Sequence, residues 1–100
     1  MKIYDIDLSN KTANFSFRVS VVGVVYRIDL QWNVKANLWF ISLASPLETL
    51  YEGIPLVAGV NYFGYVNLPK MPENATLFVV KTPDYDMLGN EVALTVVENV

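Results

Sequence analysis

The sequence of 100 residues contains no cysteine and no histidine. Without cysteine the chain can form no disulfide, no thiolate nucleophile and no thiolate metal site. Without histidine it lacks the commonest metal ligand and the side chain that most often serves as a general base near neutral pH. These two absences argue against an enzyme, and we expect no catalytic residue.

Positive charge is also scarce. Seven lysines and arginines, scattered along the chain, stand against ten aspartates and glutamates, for a net charge of −3. Direct nucleic-acid binding needs a concentrated basic surface, so we expect no nucleic-acid partner. Charged residues interrupt every apolar run well before the roughly 18–20 residues of a membrane span, so we expect no membrane segment. Asp5 and Asp7 lie where a signal peptide would be apolar, which predicts synthesis in the cytosol.

Apolar surface, in contrast, is plentiful. Hydrophobic residues make up 53% of the sequence and aromatic residues 13%. A chain of this length is close to the commonest size of one domain, and we predict a single β domain over residues 1–100. So many apolar residues in a short chain also suggest that a partner covers some of them.

The segment Tyr26–Trp32 shows the clearest pattern in the chain. Its even-numbered residues are apolar and its odd-numbered residues are polar, which is the period of a β-strand with one buried face. Trp32 and Trp39 continue apolar faces, and we expect both to pack in the core. Further strands are predicted at 3–8, 15–21, 38–44, 75–82 and 91–98, with a weaker one at 47–52.

These strands predict an all-β fold, a small antiparallel β-sandwich or barrel of six to seven strands. Short polar turns separate the first four strands, so we expect them to form an antiparallel meander in the N-terminal half of the chain. At most one short helix is expected, near residues 61–66.

Residues 53–65 are apolar without a period. The first part, Gly53–Val60, combines two glycines and one proline with five apolar residues, and three aromatic residues follow. A soluble monomer has little reason to expose such a loop, so we expect it to fold back onto the sheet or to dock on a neighbouring subunit. The candidate partner-contact residues are Ile54, Pro55, Leu56, Val57, Val60, Tyr62, Phe63 and Tyr65.

The acidic residues offer weak signals for a chemical site. Asp84 and Asp86 resemble a fragment of a calcium loop, but the further ligands of such a loop are missing, and both residue types favour turns. Asp5 and Asp7 alternate with apolar neighbours and are expected on a solvated strand face. We therefore predict no metal site and no cofactor.

Several short motifs occur in a fixed order along the chain. Gly23–Arg27 is a Gly-x-x-Tyr-Arg step, Leu30–Asn33 reads Leu-Gln-Trp-Asn with Trp39 shortly after it, and Gly53–Val60 precedes a late Leu-Gly step at Leu88. In this combination the chain resembles the baseplate plug family of contractile-tailed bacteriophages over nearly its whole length. None of these motifs is catalytic.

The resemblance implies a structural virion protein of the tail baseplate, a plug at the central hub and spike end of the tail tube, made and assembled in the host cytoplasm. The implied partners are baseplate hub, spike and tail-tube proteins, and oligomerisation in the assembly is left open. Two other functions stay open from the residues alone. One is a ligand- or glycan-binding β domain with Tyr62, Phe63 and Tyr65 as its platform. The other is a small inhibitor that acts by β-strand addition.

Overall fold

The computed structural model of the chain describes residues 1–8, 11–66 and 71–99. These residues form seven β-strands and no helix, which confirms the predicted all-β class, and residues 61–66 form turns and bends. Across the described ranges there is no helical segment of the length and apolar character that a membrane span requires. The strands are β1 (Lys2–Asp5), β2 (Asn14–Val21), β3 (Val24–Asn33), β4 (Leu38–Ala44), β5 (Thr49–Pro55), β6 (Ala75–Phe78) and β7 (Thr95–Glu98).

Strands β2, β3, β4 and β5 form an antiparallel meander in chain order, and it contains three of the four strands expected in the N-terminal meander. Within it Ile28 of β3 lies opposite Phe17 of β2 on one side and opposite Leu43 of β4 on the other. This sheet buries the apolar face that alternation in the sequence predicts, since these partners all lie on the same side.

The first strand does not belong to this meander, and the expectation that it does is wrong. β1 lies in a second antiparallel sheet with the order β1-β7-β6, where Ile3 is opposite Val97. Strands that follow one another in sequence are not always neighbours, and here the closing strand β7 pairs with β1 on one side and with β6 on the other. β7 is therefore the central strand of this sheet.

One cluster of buried side chains includes residues from both sheets, as in a small β-sandwich. Leu30 and Ile41 contribute from the four-stranded sheet, and Leu77 and Val96 contribute from the three-stranded sheet; all four are fully buried. Burial of such side chains is the main source of stability, at roughly 1.5–3 kcal/mol for each fully buried aliphatic side chain.

Several strand boundaries differ from those that the sequence predicts. The predicted first strand reaches residue 8, whereas β1 ends at Asp5. Three larger differences concern β5, β6 and β7. β5 continues to Pro55, into the segment expected to be a loop, whereas β6 ends at Phe78 and β7 begins only at Thr95. Pairing partners explain these differences, because Phe40 and Ile41 of β4 extend far enough to pair with the end of β5. β6 and β7 pair with each other only over four residues, and the connection between them follows a different path.

The connection between β6 and β7 packs against Trp39 and forms a hydrogen bond with its indole. The Nε1–H of Trp39 donates to the carbonyl oxygen of Asp84 at 3.1 Å, and its ring stacks on Tyr85 with centroids 5.3 Å apart. Lys11 adds a hydrogen bond from Nζ to the carbonyl oxygen of Leu88 at 2.8 Å. Trp39 is fully buried and Trp32 packs on it partly buried, so both tryptophans act in packing.

Candidate functional site

The middle part of the predicted contact segment, residues 53–65, packs onto the core of the chain itself. Leu56 and Tyr62 are fully buried and Phe63 nearly so. The backbone N–H of Leu56 donates to the carbonyl oxygen of Trp39 at 2.8 Å, which prolongs the pairing with β4 by one residue past the end of β5. Leu56, Tyr62 and Phe63 therefore fill the interior of this chain, and a partner could reach them only if the loop opened.

The buried Tyr62 side chain holds the loop through hydrogen bonds of its hydroxyl to the loop backbone. It donates to the carbonyl oxygen of Pro55 and accepts a hydrogen bond from the backbone N–H of Val57 at 2.8 Å. A second tyrosine, Tyr51 of β5, donates from its hydroxyl to the carbonyl oxygen of Tyr62 at 2.8 Å. Burial raises the pKa of the Tyr51 hydroxyl well above its ordinary value, and the neighbouring hydroxyls of Tyr62 and Tyr65 raise it further. Both hydroxyls work as neutral hydrogen-bonding groups.

Asn61 is a structural residue of this loop that is not among the candidates predicted from the sequence. Its Oδ1 accepts hydrogen bonds from the backbone N–H of Phe63 at 3.0 Å and from the backbone N–H of Leu77 in β6 at 3.1 Å. The signal available in the sequence is weak, since asparagine next to a glycine-rich segment indicates only a turn. The partner on β6 lies 16 positions further along the chain.

The other candidate contact residues are at least partly accessible. Ile54, Val57 and Val60 are half-buried, Pro55 is exposed, and Tyr65 keeps 46% of its surface accessible. Of the three aromatic rings suggested as a glycan platform, only Tyr65 faces solvent, and its ring stacks on that of Tyr62 with centroids 6.3 Å apart. A row of exposed rings is thus not formed, and contact of the accessible residues with a partner stays a prediction.

An apolar groove of about 510 Å³ lies at the end of the molecule where β2 turns into β3. Its apolar walls include Val22, Val24, Tyr26, Pro46, Leu47 and Met71, and its rim carries Glu73 and Asn74. Val22 and Val24 are exposed, and Leu47 is 79% exposed. Apolar side chains gathered around a concave surface are typical of a binding site for a protein segment or another apolar ligand.

A buried carboxylate positions the turn that forms one wall of this groove. Glu98 of β7 is only 5% exposed, and its Oε1 accepts a hydrogen bond from the backbone N–H of Val22 at 2.6 Å. Lys2 lies on the other side of the carboxylate, with Nζ 3.9 Å from Oε2. Since a hydrogen bond to a charged group is among the stronger ones in proteins, this contact ties the β2–β3 turn to the second sheet.

Local sequence patterns do not predict this groove. The Val-Gly pair at Val22 marks a hairpin, and the segment that contains Leu47 is a weak strand prediction, but nothing local brings the two together. The register of β3 with β4 does so, because Arg27 lies opposite Ala44 and the following residues, including Pro46, reach back beside the hairpin. Tertiary pairing thus creates the groove.

Two of the acidic residues considered for chemistry, Asp84 and Asp5, accept hydrogen bonds within the fold. Oδ1 of Asp84 accepts a hydrogen bond from the backbone N–H of Met87 at 2.9 Å, which is the turn geometry expected for this residue type. Oδ1 of Asp5 accepts from the Thr95 hydroxyl at 2.9 Å on an exposed strand face. Among residues 1–8, 11–66 and 71–99, no group of three or more acidic side chains is arranged to hold a metal ion.

Comparison with known proteins gives one family. The family model described as "Cyanophage baseplate Pam3 plug gp18" matches residues 3–99, which is nearly the whole chain. No curated protein matches it.

Proposed function

Because this chain belongs to the cyanophage baseplate plug family, we propose that it is a structural protein of the phage tail baseplate that closes the tail tube through contacts with its neighbours. We place it at the central hub, at the spike end of the tail tube. Its proposed partners are the hub, spike and tail-tube proteins. The family match over residues 3–99 is the observation that carries the proposal. The protein acts without catalysis or cofactor and is assembled in the host cytoplasm.

The surface chemistry supports a function based on docking. The groove at the β2–β3 turn presents mainly aliphatic side chains, proline and methionine, and these bind a partner by removal of apolar surface from water. Leu47 is 79% exposed, so a partner that covered it would remove most of an aliphatic side chain from water. We assign this groove as the principal docking surface, with the accessible residues of the 54–65 segment as a second contact.

Release of the plug follows from the same contacts. A plug held by buried apolar surface and few charges stays in place as long as its neighbours keep their arrangement. Rearrangement of the hub during tail contraction would separate those surfaces and leave the plug without its contacts. The lumen of the tube would then open without any chemical step.

Substitution of Leu47, the most exposed apolar side chain of the groove, tests whether the groove is a docking surface. Leu47→Asp places a charge where the partner would bury an apolar side chain, and we expect at least tenfold weaker binding, equivalent to about 1.4 kcal/mol. The assay is co-sedimentation of the purified chain with baseplate assemblies made by co-expression of the hub, spike and tube proteins. Light scattering of the chain alone reports its oligomeric state.

Val34→Asp is the matched control, because Val34 is 81% exposed in the β3–β4 turn, outside the groove. We expect this variant to sediment like the unchanged chain. If the unchanged chain does not associate with the assemblies, the proposed function is wrong. If Leu47→Asp and Val34→Asp behave alike, the function stands but the groove is not the docking surface.

A further inference from the structure

Two arginines lie directly opposite each other on the outer face of the four-stranded sheet. The register pairs Arg18 of β2 with Arg27 of β3, and both side chains are exposed. Like charges in directly opposite positions of an antiparallel pair destabilise a sheet. A chain with only seven basic residues thus places two of them where they repel each other.

The fold compensates this repulsion only in part. Among the described residues, Arg27 forms an ion pair with Asp29, with its Nε 3.3 Å from Oδ1, and that oxygen accepts no hydrogen bond from them. Within the described part of the chain, Arg18 has no ion pair. The guanidinium of Arg18 and the Nη groups of Arg27 therefore keep N–H donors available for an acceptor from outside the chain.

The two arginines line a small cavity that adjoins the apolar groove. This cavity has a volume of about 230 Å³. The rest of its wall is formed by Val25, Tyr26, Ser45 and Pro46. Tyr26, Ser45 and Pro46 also line the groove. A single extended segment that crosses these shared residues would contact the apolar groove on one side and the two guanidinium groups on the other.

We propose that Arg18 and Arg27 bind the carboxylate of an aspartate or glutamate side chain from a neighbouring baseplate protein, whose flanking apolar residues occupy the groove. This inference rests on the proposed function and specifies the chemistry of the partner. A carboxylate between the arginines accepts charge-assisted hydrogen bonds from both and removes their repulsion. Charge complementarity thus selects a segment with an acidic side chain at this one position.

A protein segment fits this surface better than a nucleic acid does. Nucleic-acid binding relies on several basic groups that follow a phosphate backbone, whereas here two arginines stand beside an apolar groove with Glu73 on its rim. The net charge of the chain, −3, would repel a polyanion at long range.

The test is Arg18→Glu in the co-sedimentation assay, with Lys35→Glu in the β3–β4 turn as the matched charge reversal. Arg18→Glu should bind the assemblies at least tenfold more weakly, while Lys35→Glu binds like the unchanged chain. Because a glutamate at position 18 would lie opposite Arg27, the urea midpoint of Arg18→Glu should be unchanged or higher. Loss of binding without loss of stability distinguishes a contact residue from a structural one.

Arg18→Gln, which removes the charge without reversing it, is the second variant and should show an intermediate loss of binding. Equal sedimentation of Arg18→Glu and Lys35→Glu would overturn this inference and leave the proposed function intact. Failure of the unchanged chain to sediment would overturn both. Binding of a DNA duplex that disappears in Arg18→Glu would overturn the inference in favour of a phosphate ligand.

Discussion

At the scale of single residues, two polar side chains replace strand pairing in the loop after β5. Asn61 and Tyr62 offer their side-chain oxygens to the backbone N–H groups of Val57, Phe63 and Leu77. A backbone N–H without a partner costs about 1–3 kcal/mol when it is buried. These two side chains therefore allow an irregular segment to cover the core.

Asn61→Ala tests this role. It removes an acceptor from two backbone N–H groups at once, and we expect the free energy of unfolding to fall by about 2 kcal/mol in urea titrations. Asn61→Asp keeps the accepting oxygen and is the control, with an expected loss below about 1 kcal/mol. Equal losses in both variants would show that the accepted hydrogen bonds contribute little.

At the scale of the element, the two N-terminal hairpins of the meander differ in strain. In the β2–β3 turn Val22 has φ 48° and Gly23 has φ 81°, whereas the β3–β4 turn places Asn37 at φ 55°. Asparagine and glycine tolerate positive φ, but a β-branched residue there is unusual. Val22 is also a wall of the apolar groove, so this turn keeps a strained residue at the proposed docking surface.

Val22→Asn should therefore move stability and binding in opposite directions. Relief of the strain is expected to raise the free energy of unfolding by about 1 kcal/mol, because the turn becomes Asn-Gly. Loss of the apolar side chain from the groove should weaken co-sedimentation with baseplate assemblies. The reverse exchange Asn37→Val, in the turn outside the groove, should lower stability and leave binding unchanged. A Val22→Asn variant that binds as well as the unchanged chain would contradict the assignment of the groove.

At the scale of the whole molecule, the two sheets share one core and a few polar links across its edge. The Glu98 carboxylate accepts from the backbone of Val22, and the Tyr4 hydroxyl donates to the carbonyl oxygen of Ser20 at 3.0 Å. Burial is the main cause of a raised hydroxyl pKa in four tyrosines, Tyr4, Tyr26, Tyr51 and Tyr62. Ionisation of these hydroxyls therefore opposes folding.

The stability of the protein should fall at alkaline pH. A tyrosine whose folded pKa lies above its unfolded value near 10.0 stabilises the fold fully below that pH, and this contribution is lost as the pH rises towards the folded pKa. Urea midpoints measured between pH 7 and pH 11.5 should be level at first and then decline above about pH 10.

Tyr51→Phe removes the tyrosine with the largest upward shift in pKa. This variant should lose about 1 kcal/mol at pH 7, because the hydrogen bond to the Tyr62 carbonyl oxygen disappears. Its decline above pH 10 should be shallower than that of the unchanged chain. Parallel curves for the two proteins would mean that Tyr51 does not contribute to the alkaline loss.

The strands of the meander follow from local pattern. Alternation in Tyr26–Trp32 predicts β3, and the apolar run from Leu38 predicts β4 with its true bounds, because a period of two reports directly which side chains face the core. The same reasoning identifies Trp39 as a core residue. The ordered motifs of the sequence also indicate the phage baseplate plug family, to which the chain belongs.

The sequence by itself therefore determined the β class, most strands and the family, since these depend on neighbouring residues or on their order. Only the tertiary structure decided which surfaces are free. It paired β1 with β7, buried Leu56 and Tyr62 of the predicted contact segment, and brought Leu47 beside the β2–β3 turn. These outcomes depend on contacts between residues far apart in the chain, and a local period carries no information about such contacts.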